Sequence, residues 1–411
     1  MLGRILYVAS SLLVACCTLA DGRFVIERIE VRNAVRVSPR LIVAESLLRE
    51  GSEASEEDVR AAAQRLERLP FVFAAHYSLE PGSDGARRVV VIDVRENERL
   101  WGLVDARFIQ EHEPFDMLDY DYPDPAAEWK HAAAGVRWLF GDGGVAHFAL
   151  TVLRDRHGLR KNYSAYEVGY TRHRIAGTPF FATAIVRSPV DSLEEKTFTP
   201  KLIVGLPLTA EQTLTAEYED TSFRDAKVRI GTATFRDLQF ERTLSAAWTF
   251  DTRNDPYAAT TGTFVRVEPF LFMADQTSFS FTRPPQQFVT VARHSNAAGV
   301  DASATRHWQM SDVSSLSAGV RAAWAGVRNA QNLDSSSSEL RMRRSFEVIS
   351  GGYARRIGRS SAELEGRVLL SQVNGTNGQG EDTDPSYEVA ASWRWRNPRA
   401  ALRLGIAYST R

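Results

Sequence analysis

A short charged segment, DTRNDPYAATTG at residues 251–262, brings together side chains that form ion pairs and hydrogen bonds. Asp251, Arg253, Asn254 and Asp255 lie close together, and Gly262 ends the segment. Such residues punctuate surface hairpins, because they bond to nearby backbone or accept turn dihedral angles. Apolar residues alternate with others on both sides, so we expect a hairpin between two strands. One interpretation is a self-satisfied tight turn with no contact to a client.

Patterns typical of catalysis or metal binding are missing from the sequence. The sequence contains neither a Gly-x-Ser-x-Gly motif nor a phosphate-binding loop. The acidic segment 116–128 lacks the Gly and terminal Glu of an EF-hand loop, which favours a solvated loop. The histidines have no metal-ligand spacing; they stand at positions 76, 112, 131, 147, 157, 173, 294 and 307. We therefore expect no enzymatic activity, no metal site and no cofactor.

The composition excludes two other classes of protein. The chain has 411 residues and a formal net charge of -1, which gives no electrostatic footprint for nucleic acid. No internal apolar run approaches the roughly 20 residues of a membrane-spanning helix. Alternating strands of a membrane barrel keep an ordinary average hydropathy, so that class stays open.

The first residues, MLGRILYVASSLLVACCTLADG, have the layout of a secretory signal peptide. An Arg precedes an apolar segment, and small residues follow, so we expect residues 1–20 to be removed. In the alternative interpretation, Leu13-Val14-Ala15-Cys16 resembles a bacterial lipobox, and Cys16 becomes a lipidated first residue. The remaining chain contains no cysteine.

Residues 24–97 predict a small α+β domain in the order β-α-α-β-β. The segment 24–33 alternates as a strand, and Ser38-Pro39 then predicts a helix that we expect to end at Gly51. Ser55 and Asp58 have the spacing of a capping box for a second helix. Two further strands follow, joined by a turn rich in Gly, Ser and Asp.

Residues 98–411 alternate between apolar and polar residues and show few helical signals. We count about 16 strands of roughly 9–11 residues, the length of a tilted transmembrane strand, with the segments near 290 and 302 counted as one or two. The charged inner face favours an outer-membrane barrel over a secreted soluble β protein. We expect four aromatic side chains to face lipid: Trp248, Phe250, Phe270 and Phe272.

These segments resemble a known superfamily. Residues 24–97 resemble a POTRA domain, with a small α+β domain of no particular family as the alternative. DTRNDPYAATTG resembles the hairpin motif of the bacterial surface antigen family, which includes the BAM-complex insertase and two-partner secretion transporters. The residues on that pattern are Asp251, Arg253, Pro256, Thr260 and Gly262. The resemblance implies a mainly β fold, with one POTRA-like domain preceding an antiparallel transmembrane barrel.

The same family has a long loop folded into the lumen, in which an Arg is held against acidic residues of the wall. The nearest counterpart here is Arg344-Ser345-Phe346, with Ser345 where the family has Gly. Glu363 and Glu365 project to the polar face of the next strand and could supply the acidic partner. The alternative is an ordinary lumen-facing Arg on a strand.

The resemblance implies a protein that inserts or translocates polypeptides at the outer membrane. The POTRA domain would lie in the periplasm and receive clients, or an accessory protein, at its sheet edge, and lipid would surround the barrel. The alternative function is a passive pore or structural barrel without client translocation.

Overall fold

A computed structural model describes residues 22–109, 129–154, 163–189, 196–230, 233–255, 258–281, 288–333, 336–358, 360–375, 380–382 and 386–410. The expected signal peptide, Cys16, the acidic segment 116–128 and Pro256 lie outside the described residues. The described part contains a small four-stranded sheet with two helices, followed by a closed β-barrel. No helix within it is long and apolar enough to cross a membrane.

Four strands and two helices form the small domain. The sheet order is β2-β1-β4-β3; β1 and β4 are parallel, and the other pairs are antiparallel. The expected β-α-α-β-β order is present, with a two-residue strand added between the helices. The elements are β1 Phe24–Arg32, α1 Pro39–Ser46, β2 Glu53–Ala54, α2 Glu56–Glu67, β3 Val72–Pro81 and β4 Arg87–Glu96.

One helix boundary follows the sequence pattern and another does not. The capping box at α2 is confirmed: the Asp58 amide donates to the Ser55 hydroxyl at 3.2 Å, and the Ser55 amide donates to the Asp58 carboxylate at 2.8 Å. The expectation that Gly51 ends α1 is wrong, because Leu47 already takes the left-handed cap conformation. Gly51, with φ +80°, instead makes the turn before β2, and its amide donates to the Ile26 carbonyl at 2.7 Å.

The core of the small domain continues into the end of the barrel. Ile26, Ile42 and Phe71 are buried in a cluster that also contains Leu139 and Val145 of the barrel. Full burial of one such side chain contributes roughly 1.5–3 kcal/mol. The domain is therefore packed on the barrel through a shared apolar core.

The barrel begins directly after the small domain. Consecutive strands pair antiparallel around the ring. The strands are β5 Leu100–Ile109, β6 Trp129–Leu139, β7 Gly144–Arg154, β8 Tyr163–Arg172, β9 Phe181–Pro189, β10 Lys196–Pro207, β11 Gln212–Ile230, β12 Ala233–Asp251, β13 Gly262–Phe281, β14 Phe288–Ser311, β15 Ser314–Leu333, β16 Ser336–Ile357, β17 Ser360–Gly375, β18 Gly380–Asp382, β19 Ser386–Arg396 and β20 Ala400–Thr410.

The ring contains 15 strands, and the expected number of 16 is wrong. The short β18 pairs only with β17 and is not a member of the ring. The expected length of 9–11 residues is also wrong for one side of the barrel, where β11–β16 have 19–24 residues. The alternation near 215 and 230 resembles two strands and was counted as such, but no turn interrupts the pairing of β11, so it is one strand. The segments near 290 and 302 likewise form the single strand β14.

The odd number of strands has a direct topological consequence. The first and last strands run in the same direction, so β5 and β20 close the ring in parallel, from Gly102 opposite Ala400 to Phe108 opposite Ile406. The expectation of an entirely antiparallel barrel is wrong at this one join. Parallel pairing is slightly less stable per residue than antiparallel pairing. We call this join the seam.

The outer surface of the barrel is apolar, and its inner face carries ion pairs. Arg321 contacts Asp301 at 2.6 Å, and Arg367 contacts Glu388 at 3.2 Å, both between neighbouring strands. Strands throughout the ring contribute exposed large apolar side chains, including Val104, Trp138, Phe148, Val168, Leu202, Leu214, Leu244, Leu271, Trp324, Ile349, Leu364, Val389 and Ile406.

The alternation of side chains along β12 and β13 corrects part of the expectation that four aromatic side chains face lipid. Leu271 and Met273 are exposed on the outer face, so Phe270 and Phe272 belong to the inner face. Phe270 lies against Gly299 of the next strand, where a side chain would clash with its ring. Trp248 and Phe250 share the parity of the exposed Leu244 instead.

Candidate functional site at the barrel mouth

The described residues of the charged segment, 251–255 and 258–262, belong to a hairpin at the end of the barrel on which the small domain is packed. We call this end the domain-side mouth. Asp251 is the last residue of β12, and Gly262 is the first residue of β13. Gly262 has φ +104°, and a Cβ there would lie 2.3 Å from the Thr252 carbonyl oxygen. Only glycine fits, because the backbone conformation and the space both exclude a side chain.

Side chains inside the hairpin hold its shape. The Asn254 carboxamide accepts hydrogen bonds from the amides of Thr260 and Thr261 at 3.0 and 3.1 Å. It also donates to the Thr260 hydroxyl at 2.8 Å. The Asp255 carboxylate accepts from the Ala258 amide at 3.2 Å. These short contacts make the hairpin a compact unit.

Asp251 connects the hairpin to the small domain. Its buried carboxylate accepts two hydrogen bonds from the Arg253 guanidinium, both at 2.9 Å, and one from the Arg253 amide at 3.0 Å. Arg68, at the end of α2, donates to the carbonyls of Asp251 at 2.5 Å and Ala210 at 3.1 Å. We call Arg68, Asp251 and Arg253 the ionic contact.

The ionic contact is largely shielded from water. The Nε of Arg68 lies 3.4 Å from the Asp251 carboxylate, an ion-pair distance without hydrogen-bonding geometry. Burial lowers the pKa of Arg68 despite the opposing effect of Asp251, and an arginine nevertheless stays charged. Burial also raises the pKa of Glu211, in the neighbouring turn. Removing one member of a buried ion pair is costly, because the remaining charge is left without its partner.

Described residues of the hairpin and of the inner barrel wall line a small cavity. This cavity has a volume of about 170 Å³. The Asp255 carboxylate lies 3.6 Å from Arg356 of β16, and the Ser315 hydroxyl of β15 lies 3.5 Å from the Ala259 carbonyl. The cavity is lined by Arg253, Ala258, Ala259 and Thr260 of the hairpin and by Thr305, His307, Ser315, Ala354, Arg356, Ser361, Glu363 and Arg394 of the wall.

The residues predicted as a lumen latch do not come together. Arg344-Ser345-Phe346 lies within β16, not in a folded-in loop, and Arg344 is opposite Val373. Glu363 is opposite Ala354, ten positions further along β16, or roughly 33 Å at 3.3 Å per residue. The expected pairing of Arg344 with Glu363 or Glu365 is therefore wrong.

Both glutamates have other partners on the inner face. Glu363 accepts a hydrogen bond from Arg394 of β19 at 2.6 Å. Glu365 accepts one from Arg367, two positions along the same strand, at 2.9 Å. The predicted partner of Glu363, Arg344, is therefore wrong, but Glu363 does line the cavity beside the hairpin.

An apolar contact joins the domain to the barrel at a second place. The Phe71 ring meets the edge of His173, with ring centroids 5.4 Å apart, and His173 stacks on Phe181 of β9 at 5.8 Å. Leu41 of α1 lies over Gly143, in the turn between β6 and β7. Burial lowers the pKa of His173 to about 4, and Arg65 adds to this effect. We call this group of residues the apolar contact.

Sequence reasoning missed Arg68, Arg356 and Arg394. Arg68 follows an amphipathic helix, where a terminal arginine is an ordinary feature. Its partner Asp251 is 183 residues away, so no local pattern connects them. Arg394 lies between two tryptophans and Arg356 follows another arginine, so neither differs from the many other arginines of the barrel strands.

The comparisons with known proteins concern the whole chain. No protein-family model matches the sequence, and no curated protein matches it. The chain is similar to a crystal structure of BamA from Haemophilus ducreyi lacking POTRA domains 1–3, with a TM-score of 0.42 and 11% identity over 94% of this chain and 81% of that one.

Two further solved structures are similar at comparable levels. CdiB from Acinetobacter baumannii has a TM-score of 0.42 and 8% identity over 95% of this chain and 74% of that one. The ferric citrate transporter FecA has a TM-score of 0.36 and 9% identity over 79% and 61%, respectively. Because these three TM-scores are below 0.5, the function has to be inferred from this chain's own residues.

Proposed function

We propose that this chain is an outer-membrane β-barrel that inserts or translocates polypeptides, which its small domain receives in the periplasm. The observation that carries the proposal is the position of β3. This edge strand of the small domain begins beside the barrel turn that leads into the seam.

The barrel surface supports a location in the outer membrane. A closed barrel pairs its strands all round, and an apolar exterior suits it to lipid. The exposed Val104, Phe148, Leu271 and Ile406 stand on widely separated strands, so the apolar surface is not confined to one patch. The hairpin at the domain-side mouth and the small domain would then face the periplasm.

The free side of β3 can accept an extended polypeptide. The Ala75 amide points away from β4 and donates to the Glu67 carboxylate at 3.0 Å. Residues two and four positions later, Tyr77 and Leu79, direct their amides to the same side, because hydrogen bonding alternates along an antiparallel strand. A client strand could pair there by strand addition, which uses backbone hydrogen bonds and tolerates many sequences.

The start of β3 lies next to the seam. Arg396, at the end of β19, donates to the Val72 carbonyl at 3.2 Å and stacks on Phe73 at 4.9 Å. The following turn bonds to the residues before β5, through the Glu98 amide and the Pro398 carbonyl at 2.7 Å. A polypeptide paired with β3 would be directed to this join, where parallel pairing makes the ring easiest to open.

A passive pore is the second candidate function. The ion pairs of the inner face, such as Arg321 with Asp301, favour a water-filled lumen. A pore requires no free strand edge on the small domain. The two functions therefore predict different consequences when only that edge is changed.

The test blocks the edge of β3 in cells depleted of the natural protein. Leu79→Pro removes an outward amide, and Leu79→Ala removes a similar amount of side chain but keeps the amide. Proline is tolerated on edge strands, so both variants are expected to assemble. Outer-membrane and secreted proteomes are quantified after depletion and complementation with each variant.

Under the proposal, depletion lowers specific outer-membrane or secreted proteins, and Leu79→Ala restores them better than Leu79→Pro does. Heat-modifiable mobility on gels confirms that each barrel is folded. If depletion leaves both proteomes unchanged, the translocation function is wrong. If the two variants restore the proteomes equally, the β3 edge is not the client site.

A further inference from the structure

One large apolar side chain of the small domain is exposed, although the domain has a core that could bury it. Val35, in the loop between β1 and α1, is 85% exposed, whereas Val37, two residues later, is buried in that core. The other large hydrophobic side chains of residues 24–97 are all buried or half-buried. A single exposed apolar residue is common on protein surfaces. Its meaning therefore depends on how it is held and on what lies beside it.

The backbone around Val35 is fixed by a buried carboxylate. Glu96, the last residue of β4, accepts hydrogen bonds from the amides of Val35, Arg36 and Val37 at 3.2, 2.8 and 2.8 Å. Three consecutive amides on one carboxylate hold the loop in a single conformation, with the side chain of Val35 directed outward. A surface that is already ordered loses little conformational entropy when it binds a partner.

The loop that carries Val35 lies against the edge of the barrel at β5 and β6. A Cβ on Gly141, in the turn after β6, would be 2.6 Å from the Arg36 carbonyl oxygen, so this turn closely approaches the loop. The Ser38 amide also donates to the Gly141 carbonyl at 3.3 Å. Arg36 contacts Glu98, two residues before β5, at 2.6 Å. Val35 is therefore held at the edge where these two strands reach the domain-side mouth.

The barrel surface next to this edge is apolar and rich in aromatic side chains. Leu100 at the start of β5, Trp138 near the end of β6 and Phe140 just after it are all exposed. Tyr170 of β8 continues the row, with its ring centroid 6.2 Å from that of Phe140. Aromatic side chains at the ends of barrel strands mark the boundary between headgroups and acyl chains in a bilayer. Val35 extends this apolar belt from the barrel onto the small domain.

Two exposed arginines lie at the same end of the barrel, on either side of the seam. Arg99 comes directly before β5, and its carbonyl accepts a hydrogen bond from the Leu139 amide at 2.8 Å. Arg399 comes directly before β20, and its carbonyl accepts one from the Gly102 amide, also at 2.8 Å. Arginines at a membrane boundary direct their charged ends to the headgroups, while their stems cover apolar surface. Their charge is complementary to anionic lipid.

We propose that the loop at residues 33–37 docks on the phospholipid leaflet around the domain-side mouth. Val35 enters the boundary between headgroups and acyl chains, and Arg99 and Arg399 bind the phosphates of anionic headgroups. The lipid contact holds the small domain to the membrane beside the seam. This inference rests on the location of the barrel in the outer membrane, but not on the translocation of a client.

The experiment places the photoreactive residue benzoylphenylalanine at single positions of the full-length protein. Val35 is the test position, and Leu271, exposed on the outer face of β13, is the lipid-facing reference. Gly85 is the matched control, because it is exposed with open space around it, in the turn at the opposite end of β4 from Glu96. Each protein is reconstituted in vesicles of phosphatidylethanolamine and phosphatidylglycerol and irradiated. Mass spectrometry then counts the lipid adducts.

We expect the Val35 probe to give several-fold more lipid adducts than the Gly85 probe and to approach the yield of the Leu271 probe. Heat-modifiable mobility selects the folded barrels before irradiation. If the Val35 and Gly85 probes react equally with lipid, the loop does not dock on the leaflet. If the Val35 probe instead joins two copies of the chain, a second copy covers the loop, and the proposal is wrong.

The role of the two arginines has its own comparison. Replacing both in the Val35 probe protein, as Arg99→Gln and Arg399→Gln, should lower the share of phosphatidylglycerol among the adducts. Arg87→Gln is the control, because Arg87 lies at the far turn of the domain and contacts Asp84 at 3.3 Å. An unchanged share would show that Arg99 and Arg399 do not bind the headgroups. Because no client is present, a failure of lipid docking is distinguishable from a failure of polypeptide translocation.

Discussion

Two of the contacts that join the small domain to the barrel have opposite character. The apolar contact buries Phe71 and His173 against the turns of β6–β9 and continues the domain's own core. The ionic contact relies on directed bonds from Arg68 to Asp251, at the end of β12, and to Ala210, in the turn between β10 and β11. The first depends on buried area and the second on geometry.

This difference gives the two contacts different mechanical properties. A buried apolar cluster is non-directional and persists through small rotations, because its free energy follows the area removed from water. Hydrogen bonds weaken steeply when their geometry is lost. If the domain rotates, it would therefore pivot on the apolar contact, and the directed bonds of the ionic contact would break first. The predictions below test this division, from the largest expected effect to the smallest.

The largest effect is expected for Gly262→Ala, which distorts the ionic contact from the barrel side. The new Cβ would meet the Thr252 carbonyl at 2.3 Å in a left-handed conformation, so the hairpin must rearrange. We expect the free energy of unfolding to fall by about 5 kcal/mol, the range of severe backbone strain and lost buried partners. Urea titration of the heat-modifiable form measures it.

The matched control for this substitution is Gly366→Ala. A Cβ added at Gly366 would meet no atom within 4 Å, and the backbone there has no positive φ. This replacement should therefore change stability by less than about 0.5 kcal/mol. Equal losses in the two variants would show that the hairpin geometry is not what requires Gly262.

The next effect is expected for Phe71→Ala, which weakens the apolar contact. Phe71 is 1% exposed, and its removal leaves a cavity beside His173. Such substitutions cost roughly 3–5 kcal/mol. The half-buried Phe73 contacts Arg95 and Arg396 through its ring face, and Phe73→Ala should cost roughly 1–2 kcal/mol. The same urea titration compares the two, and equal losses would contradict the shared core.

The features that were predictable from sequence are local ones. The Ser55–Asp58 capping box depends on residues three positions apart, and the alternation of each strand depends on its own neighbours. The expected strand number was one too high because β11 continues without a turn through segments near 215 and 230 that resemble two strands. The sequence has no residue pattern that shows where a strand extends beyond the thickness of the membrane.

Only the local part of the candidate site could be predicted from the sequence, because its other contacts join distant segments. The turn chemistry of Asp251, Arg253 and Gly262 is contained in one segment, so their common hairpin could be expected. The contact of Asp251 with Arg68 depends on how two domains pack, and the partner of Glu363 depends on strand register. Register is a property of two strands, and Arg344 was therefore assigned to a glutamate that it cannot reach.

The smallest effect is expected from pH, through His173 of the apolar contact. Burial lowers the pKa of His173 to about 4 from an ordinary value of 6.5. Its contribution is fully present above about pH 6.5 and is lost as the pH falls toward 4, because the unfolded chain binds the proton first. A pKa difference of this size between the folded and unfolded chain corresponds to about 3 kcal/mol of unfolding free energy.

His173→Phe isolates this contribution, since phenylalanine keeps a ring between Phe71 and Phe181 but cannot titrate. The unfolding free energy of the wild type minus that of the variant should decline between pH 6.5 and 4 and stay constant above pH 6.5. A constant difference across the whole range would mean that water reaches His173. The apolar contact would then be open in solution, and the pivot would have to lie elsewhere.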